Sequence, residues 1–170
     1  AADSSRSAQL CLRSTEASLK YVIFGAVSSA IMLYGLSLLY GLTGSLRFDG
    51  IRAALLGGGG GDPFGLLVAV VLILAGMSYK IAAVPFHFWC PDVYEGAPTP
   101  VAALFSVGPK AAGFALMIRF FYSTLAVGTN PAASVTLIQT INWPLLVSVI
   151  SAVTMTFGNL VALRQTNVKR

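Results

Sequence analysis

Two lysines lie within apolar parts of the chain, and lysines in such places are candidates for moving protons. Lys80 directly follows the uncharged stretch 63–79, and Lys110 lies within the apolar segment that begins at Val101. About ten residues into a helix, at ~1.5 Å per residue, Lys110 would be near the middle of a bilayer. A charged side chain there costs about 2.5–3.5 kcal/mol, so it must face a protein interior or a hydrated path. In such a place a lysine can hold or release a proton as nearby charges move.

Each lysine also has a purely structural interpretation. The long aliphatic stem of a lysine lets its ammonium group reach the lipid headgroups, an explanation that suits Lys80 better than Lys110. Pro85 and Pro109 lie close to the two lysines in sequence. Because a proline frees backbone groups that can bind water, this proximity favours the functional interpretation.

Three other side chains are candidates for proton transfer or gating. His87, the only histidine of the chain, can accept and donate protons near neutral pH. It can equally be an interfacial residue of the aromatic run 86–89. Glu16 and Lys20 are four residues apart and can pair on one helix face. That pair either is an ordinary surface ion pair or controls proton uptake at the membrane edge.

Other kinds of functional site have little support in the sequence. Asp92 and Glu95 fall in a proline-rich polar stretch, which predicts a capped, solvated turn. The glycine run 57–62 is not followed by Gly-Lys-Ser/Thr, so it predicts a connector rather than a phosphate loop. Cys11 and Cys90 lack metal-ligand spacing and are predicted to be free thiols. We therefore expect no metal site and no cofactor in this chain.

Composition predicts a membrane protein. The chain has 170 residues, of which 56% are hydrophobic and 10% charged, whereas soluble domains have roughly a quarter charged residues. Charges are absent from 21–46, 63–79 and 120–163, and about 20 apolar residues suffice for a helix to cross a bilayer. The net charge of +5 does not come from the basic clusters typical of nucleic-acid binding. The prediction is an all-α, integral membrane helical bundle.

About four transmembrane helices are predicted. Residues 1–17 form a polar lead-in, and Ser14 or Thr15 is expected to cap the first helix. Residues 18–170 form the membrane domain, with a loop at 127–134. The helices are expected at about 18–42, 64–89, 101–125 and 143–163.

Prolines and glycines indicate where these helices end or bend. Pro85 lacks a backbone donor and clashes with the preceding turn, so the second helix should break near Val84. Pro109 is a possible second break. The stretches 44–62 and 91–100 are predicted to be a loop and a turn.

Four crossings would place both termini on one side of the membrane. Only Arg47 and Arg52 fall on the other side. By the positive-inside rule, the terminal side should face the cytoplasm or the mitochondrial matrix. The basic residues on the terminal side are Arg6, Arg13, Lys20, Arg164, Lys169 and Arg170.

One long stretch resembles a known family. Residues 77–120 read MSYKIAAVPFHFWCPDVYEGAPTPVAALFSVGPKAAGFALMIRF. They resemble the central signature of NADH dehydrogenase subunit 2, the N-type antiporter-like subunit of respiratory complex I. The flanking segments STEASLKY, LYGLSLLYGLTGSL and FGNLVALRQTNVKR extend the resemblance over nearly the whole chain from Ser14 onward.

The resemblance implies a part of an antiporter-like fold and a role in proton pumping. Lys80 matches the central lysine of a discontinuous helix, and Lys110 matches the lysine of the next helix, which relays protons. Glu16 and Lys20 match a charged pair at the start of the preceding helix. The chain would be a non-redox subunit of NADH:ubiquinone oxidoreductase, a translocase. NADH, FMN, iron–sulfur clusters and ubiquinone would be bound by other subunits.

The resemblance also implies partners and a location. It covers the sixth to the ninth helices of the family's fold, without the upstream helix that supplies a carboxylate to the central lysine. We therefore expect one product of a split subunit, completed by separately encoded fragments and in contact with lipids and other membrane-arm subunits. The expected location is the mitochondrial inner membrane, with both termini on the matrix side.

Three alternatives remain open. The chain could be a structural filler in the membrane arm of the same complex. It could belong to a photosynthetic NDH-type complex, whose corresponding subunit carries a similar PDVYEG signature. It could also be part of a cation/proton antiporter.

Overall fold

The computed structural model describes residues 2–57, 62–125 and 142–165, which form helices and no strands. Four helices of this part of the chain are long and apolar enough to cross a membrane, over Ser14–Thr43, Pro63–Ile81, Thr99–Thr124 and Trp143–Leu163. The predicted all-α membrane fold with four spans is thereby confirmed. The helices are α1 (Ala2–Thr43), α2 (Phe48–Leu56), α3 (Pro63–Ile81), α4 (Trp89–Gly96), α5 (Thr99–Thr124) and α6 (Trp143–Leu163).

Helix α1 extends well beyond the predicted range 18–42. It begins at Ala2 and so includes almost all of the predicted lead-in 1–17. Thr15 therefore lies inside a helix, and its hydroxyl donates to the carbonyl oxygen of Cys11 at 2.9 Å. The prediction that Ser14 or Thr15 caps the helix is wrong, because the backbone is already helical before them.

The predicted loop 44–62 contains a helix. Helix α2 buries Ile51 and Leu55, which are four residues apart and so lie on one face. This short amphipathic pattern was hidden within a stretch rich in turn residues. Residues 58–61 of the glycine run and the predicted loop 127–134 lie outside the described residues.

The second predicted helix is interrupted earlier than expected. Helix α3 ends at Ile81, and Ala82 follows in the left-handed region with φ of 57°. The N–H of Ala83 then donates to a carbonyl oxygen of the last helical turn at 2.8 Å, and the Val84–Pro85 peptide bond is cis. The predicted break beside Pro85 is confirmed, and the chain is already out of the helix three residues before that proline.

The stretch after the break is helical rather than a turn. Helix α4 contains Asp92 and Glu95, so the prediction of a solvated turn at these residues is wrong. Pro91 lies in the first turn of α4, where a missing N–H leaves no hydrogen bond unmade. Pro109, by contrast, lies inside the continuous helix α5 and does not break it.

Helix α3 lies at the centre of the bundle. Glycines allow its neighbours to approach closely: a Cβ on Gly35 of α1 would lie 2.9 Å from the carbonyl oxygen of Ala69. A Cβ on Gly113 of α5 would lie 2.8 Å from Cγ2 of Ile81. The buried residues of α3 are Leu66, Ala69, Val70, Ile73, Leu74, Gly76, Met77, Ser78 and Tyr79.

Helix α6 lies at the edge of the described bundle, and its bounds match the predicted range 143–163. None of its residues is buried. It touches its neighbours at few points: the Trp143 ring stacks on Phe121 at 5.2 Å, and the hydroxyl of Thr154 accepts a hydrogen bond from the N–H of Val84 at 3.0 Å.

Candidate functional site

Lys80 faces a cleft between helices α1, α3 and α5. It is the second-last residue of α3, and its side chain is exposed. The cleft has a volume of ≈ 260 Å³ and combines hydroxyl groups with aromatic rings. We call it the lysine cleft; it is lined by Tyr21, Val22, Gly25, Ser29, Tyr79, Lys80, Trp89, Phe105 and Pro109.

Lys80 and Lys110 are brought to the same side of helix α5. A Cβ on Gly113 would lie 3.6 Å from the Cβ of Lys80, so the backbone of α5 passes directly beside that lysine. Lys110 precedes Gly113 by three residues, and residues with this spacing share one helix face. Pro109, the neighbour of Lys110, lines the lysine cleft. The backbone of α5 thus passes close to Lys80, whereas the side chain of Lys110 is not among the residues that line the cleft.

The ammonium group of Lys110 lies over an aromatic ring. Its Nζ is 5.5 Å from the ring centroid of Tyr94 on α4, within the range of a cation–π interaction. The hydroxyl of Tyr94 donates to the carbonyl oxygen of Phe105 at 3.3 Å. Burial raises the pKa of Tyr94, so its hydroxyl stays protonated and remains a donor at neutral pH.

A second aromatic residue of α4 contacts the backbone beside Lys80. The indole N–H of Trp89 donates to the carbonyl oxygen of Tyr79 at 3.3 Å, one residue before Lys80. The Trp89 ring lies 5.1 Å from the Tyr79 ring and 6.2 Å from the Tyr94 ring, centroid to centroid. Helix α4 therefore connects the surroundings of the two lysines through aromatic side chains.

Lys20 forms a separate ionic cluster with two carboxylates. Its Nζ lies 2.7 Å from Oε1 of Glu16 and 2.8 Å from Oδ2 of Asp92. The Glu16–Lys20 pair follows the predicted spacing. Asp92 was missed as a partner; the available signal was the spacing of Trp89 and Val93, two buried residues four apart that make α4 a helix packed on the bundle. We call Glu16, Lys20 and Asp92 the Lys20 cluster.

His87 lies in the turn between α3 and α4 and is not among the residues that line the lysine cleft. Its ring is 4.8 Å from the Phe88 ring and 5.7 Å from the ring of Phe157 on α6. Its Nδ1 is buried without a hydrogen-bond partner in the described part of the chain. These aromatic neighbours fit the interfacial interpretation, and its role in proton transfer stays a prediction.

The lysines differ in their charge partners. Within the described residues, Lys20 forms ion pairs with two carboxylates, whereas Lys80 and Lys110 form none. No group of three or more His, Cys, Asp or Glu side chains in these ranges is placed to hold a metal ion. Amines and hydroxyls beside an open cleft are groups that exchange protons with water, so proton transfer is the chemistry that this arrangement can perform.

Known proteins of one kind resemble this chain along most of its length. Residues 6–170 match the family described as NADH:quinone oxidoreductase/Mrp antiporter, TM. The chain is 54% identical over 166 residues to NADH-quinone oxidoreductase subunit N of Anaeromyxobacter sp. (strain Fw109-5). It is also 54% identical over 159 residues to NAD(P)H-quinone oxidoreductase subunit 2 of Thermosynechococcus vestitus.

A solved structure has the same fold over the same length. A chain of respiratory complex I from Thermus thermophilus, solved with bound aureothin, is 37% identical with a TM-score of 0.66. That similarity covers 91% of this chain and 29% of the solved one. The two sequence relatives are covered over 32% and 28% of their lengths, so this chain spans about a third of the proteins that it resembles.

Proposed function

The chain belongs to the NADH:quinone oxidoreductase/Mrp antiporter family of membrane proteins, and on that premise we propose that it translocates protons as a membrane subunit of an NADH–quinone oxidoreductase. One observation carries the proposal. Lys80 lines a cleft of ≈ 260 Å³ between three membrane helices, and Pro109, which precedes Lys110 on α5, lines the same cleft. An intramembrane lysine that faces a cavity is a functional group by default, because lipid exposure would be costly.

In the proposed mechanism Lys80 exchanges protons with water in the lysine cleft, and Lys110 passes them along the bundle. Hydroxyls of Tyr21, Tyr79 and Ser29 line the space and can hold ordered water between the amines. A carboxylate of a neighbouring membrane segment shifts the protonation of Lys80, since a nearby negative charge favours the ammonium form.

The remaining roles follow the same proposal. Redox chemistry, with NADH, FMN, iron–sulfur clusters and ubiquinone, takes place in other subunits, and this chain contacts lipids and membrane-arm neighbours. The Lys20 cluster controls proton uptake near the start of the membrane-spanning part of α1, Ser14–Thr43. The relatives are bacterial and cyanobacterial, so the mitochondrial location and matrix-side termini stay predictions. That separately encoded fragments complete the subunit also stays a prediction. The mass of the intact polypeptide in the membrane would test it.

The test is to replace each lysine in the assembled complex. In Lys80→Ala and Lys110→Ala variants, we expect the proton-to-electron ratio to fall while the complex still assembles. Arg52→Ala is the matched control, since it removes a positive charge from α2 outside the cleft and should leave the ratio unchanged. An unchanged ratio in both lysine variants would contradict proton transfer and favour the structural-filler alternative.

A second host complex has equal sequence support. The subunit from Thermosynechococcus vestitus is 54% identical to this chain, the same value as for the Anaeromyxobacter protein. Purification of the intact complex distinguishes the hosts: a respiratory complex carries an NADH-oxidising arm, and the photosynthetic type carries a ferredoxin-accepting arm. Isolation of the chain without either arm would favour a cation/proton antiporter.

A further inference from the structure

We infer that Tyr94 is a positioning residue that holds the ammonium group of Lys110 in place through its ring. The inference rests on the proposed function of Lys110 in proton transfer and adds a residue that the sequence did not single out. Its direct basis is the cation–π contact, with 5.5 Å between Nζ of Lys110 and the ring centroid of Tyr94.

The ring of Tyr94 is held from its far end. Its hydroxyl donates to the carbonyl oxygen of Phe105, which lies on α5, the same helix that carries Lys110. The tyrosine thus spans six residues of α5, from Phe105 to Lys110: its hydroxyl contacts the first and its ring contacts the last. A ring fixed in this way can accept the ammonium group without losing much side-chain freedom when the contact forms.

Helix α4 is in turn tied to the two other helices of the cleft. Asp92 binds Lys20 of α1 at 2.8 Å, and Trp89 donates to the carbonyl oxygen of Tyr79 on α3 at 3.3 Å. The two residues that make these contacts, Trp89 and Asp92, are three positions apart and so lie about one turn apart along α4. They set the position of α4, and Tyr94 of the same helix contacts Lys110.

The contact has a chemical consequence for Lys110. A ring face attracts the charged ammonium group more than the neutral amine. Tyr94 therefore limits where the Nζ of Lys110 can lie. A proton relay needs such placement, because a proton passes only between groups within hydrogen-bond reach or through one water.

The test measures how fast each lysine reacts with a small membrane-permeant amine-reactive ester in the intact complex. The ring restricts the Nζ of Lys110, so loss of the ring should accelerate labelling of Lys110 about fivefold in Tyr94→Leu. Tyr94→Phe keeps the ring and should change the rate less than about twofold. Lys20 and Lys80, quantified in the same sample by peptide mass spectrometry, serve as internal controls and should be unchanged. Tyr94→Met provides a second variant without a ring if Tyr94→Leu does not assemble.

Three results would overturn the inference. The first is an unchanged Lys110 rate in both variants without a ring. The second is acceleration in Tyr94→Phe equal to that in Tyr94→Leu, which would assign the effect to the hydroxyl. The third is a parallel acceleration at Lys20 and Lys80, which would indicate general loosening of α4. The labelling result is independent of pumping, so failure here is distinguishable from an unchanged proton-to-electron ratio in Lys110→Ala.

Discussion

Lys20 and Lys80 are the same residue type on the neighbouring helices α1 and α3, yet their surroundings differ. Lys20 lies between two carboxylates, at 2.7 and 2.8 Å. Lys80 lies in a cleft lined by aromatic rings and hydroxyls, without an ion pair in the described ranges. An ammonium group between two carboxylates is held in its charged form. On this basis we propose a division of work: the Lys20 cluster fixes α4, and Lys80, which faces the cleft, takes part in proton transfer.

The largest expected effect comes from overpacking the contact between α3 and α5 beside Lys80. Gly113→Leu would force a side chain into a space where even a Cβ lies 2.8 Å from Ile81 and 3.6 Å from the Cβ of Lys80. Overpacking of this kind costs about 1–3 kcal/mol, and we expect reduced thermal stability of the complex together with loss of pumping. Gly41→Leu is the control, because nothing lies within 4 Å of a Cβ there. Equal losses in both variants would show that the close approach of α5 to Lys80 has no special importance.

A smaller effect is expected from removing the centre of the Lys20 cluster. Lys20→Ala should speed amide hydrogen exchange in α4 severalfold, since Asp92 loses its partner on α1. Lys20→Arg retains a cation for both carboxylates and should leave exchange close to normal. If Lys20→Ala instead lowered the proton-to-electron ratio as Lys80→Ala does, with α4 exchange unchanged, the proposed division between the two lysines would be wrong.

The smallest effect is expected at Thr15, close to the Lys20 cluster. Because its hydroxyl bonds back to Cys11 within α1, Thr15→Ala should change the free energy of unfolding by less than about 0.5 kcal/mol. If Thr15 were an N-cap, its replacement by Ala would lower the free energy of unfolding by about 1 kcal/mol. Chemical denaturation of the purified complex, followed by loss of helical circular dichroism, measures the difference. A decrease of about 1 kcal/mol in the free energy of unfolding would instead support a helix that begins at Thr15.

Sequence reasoning was most successful where structure depends on local chemistry. Helix α6 has the bounds predicted because an uncharged segment follows Asn142, whose side chain accepts from the N–H of Leu145 at 3.1 Å. The break beside Pro85 follows from the missing N–H of proline. Both signals lie within a few residues of the feature that they predict.

Long-range contacts were not predictable in the same way. The Lys20–Asp92 pair joins residues 72 positions apart. The spacing of Trp89 and Val93 indicates a packed helix around Asp92, but it does not identify Lys20 as the partner. Helix α4 was read as a turn because Pro91 and Pro98 flank a polar sequence. It is helical because Trp89 and Val93 are buried against the bundle, which is a tertiary effect that outweighs local propensity.

Helix α4 also bears on the order in which the chain folds. A transmembrane helix satisfies its backbone hydrogen bonds internally, so α1, α3, α5 and α6 can each insert into a bilayer before they meet. Helix α4 cannot, because it has eight residues and carries Asp92 and Glu95. Its contacts with Lys20 and with the Tyr79 carbonyl can form only after α1 and α3 have inserted. The contact between Tyr94 and Lys110 likewise needs α5 in place, so a chain inserted only as far as α3 lacks it.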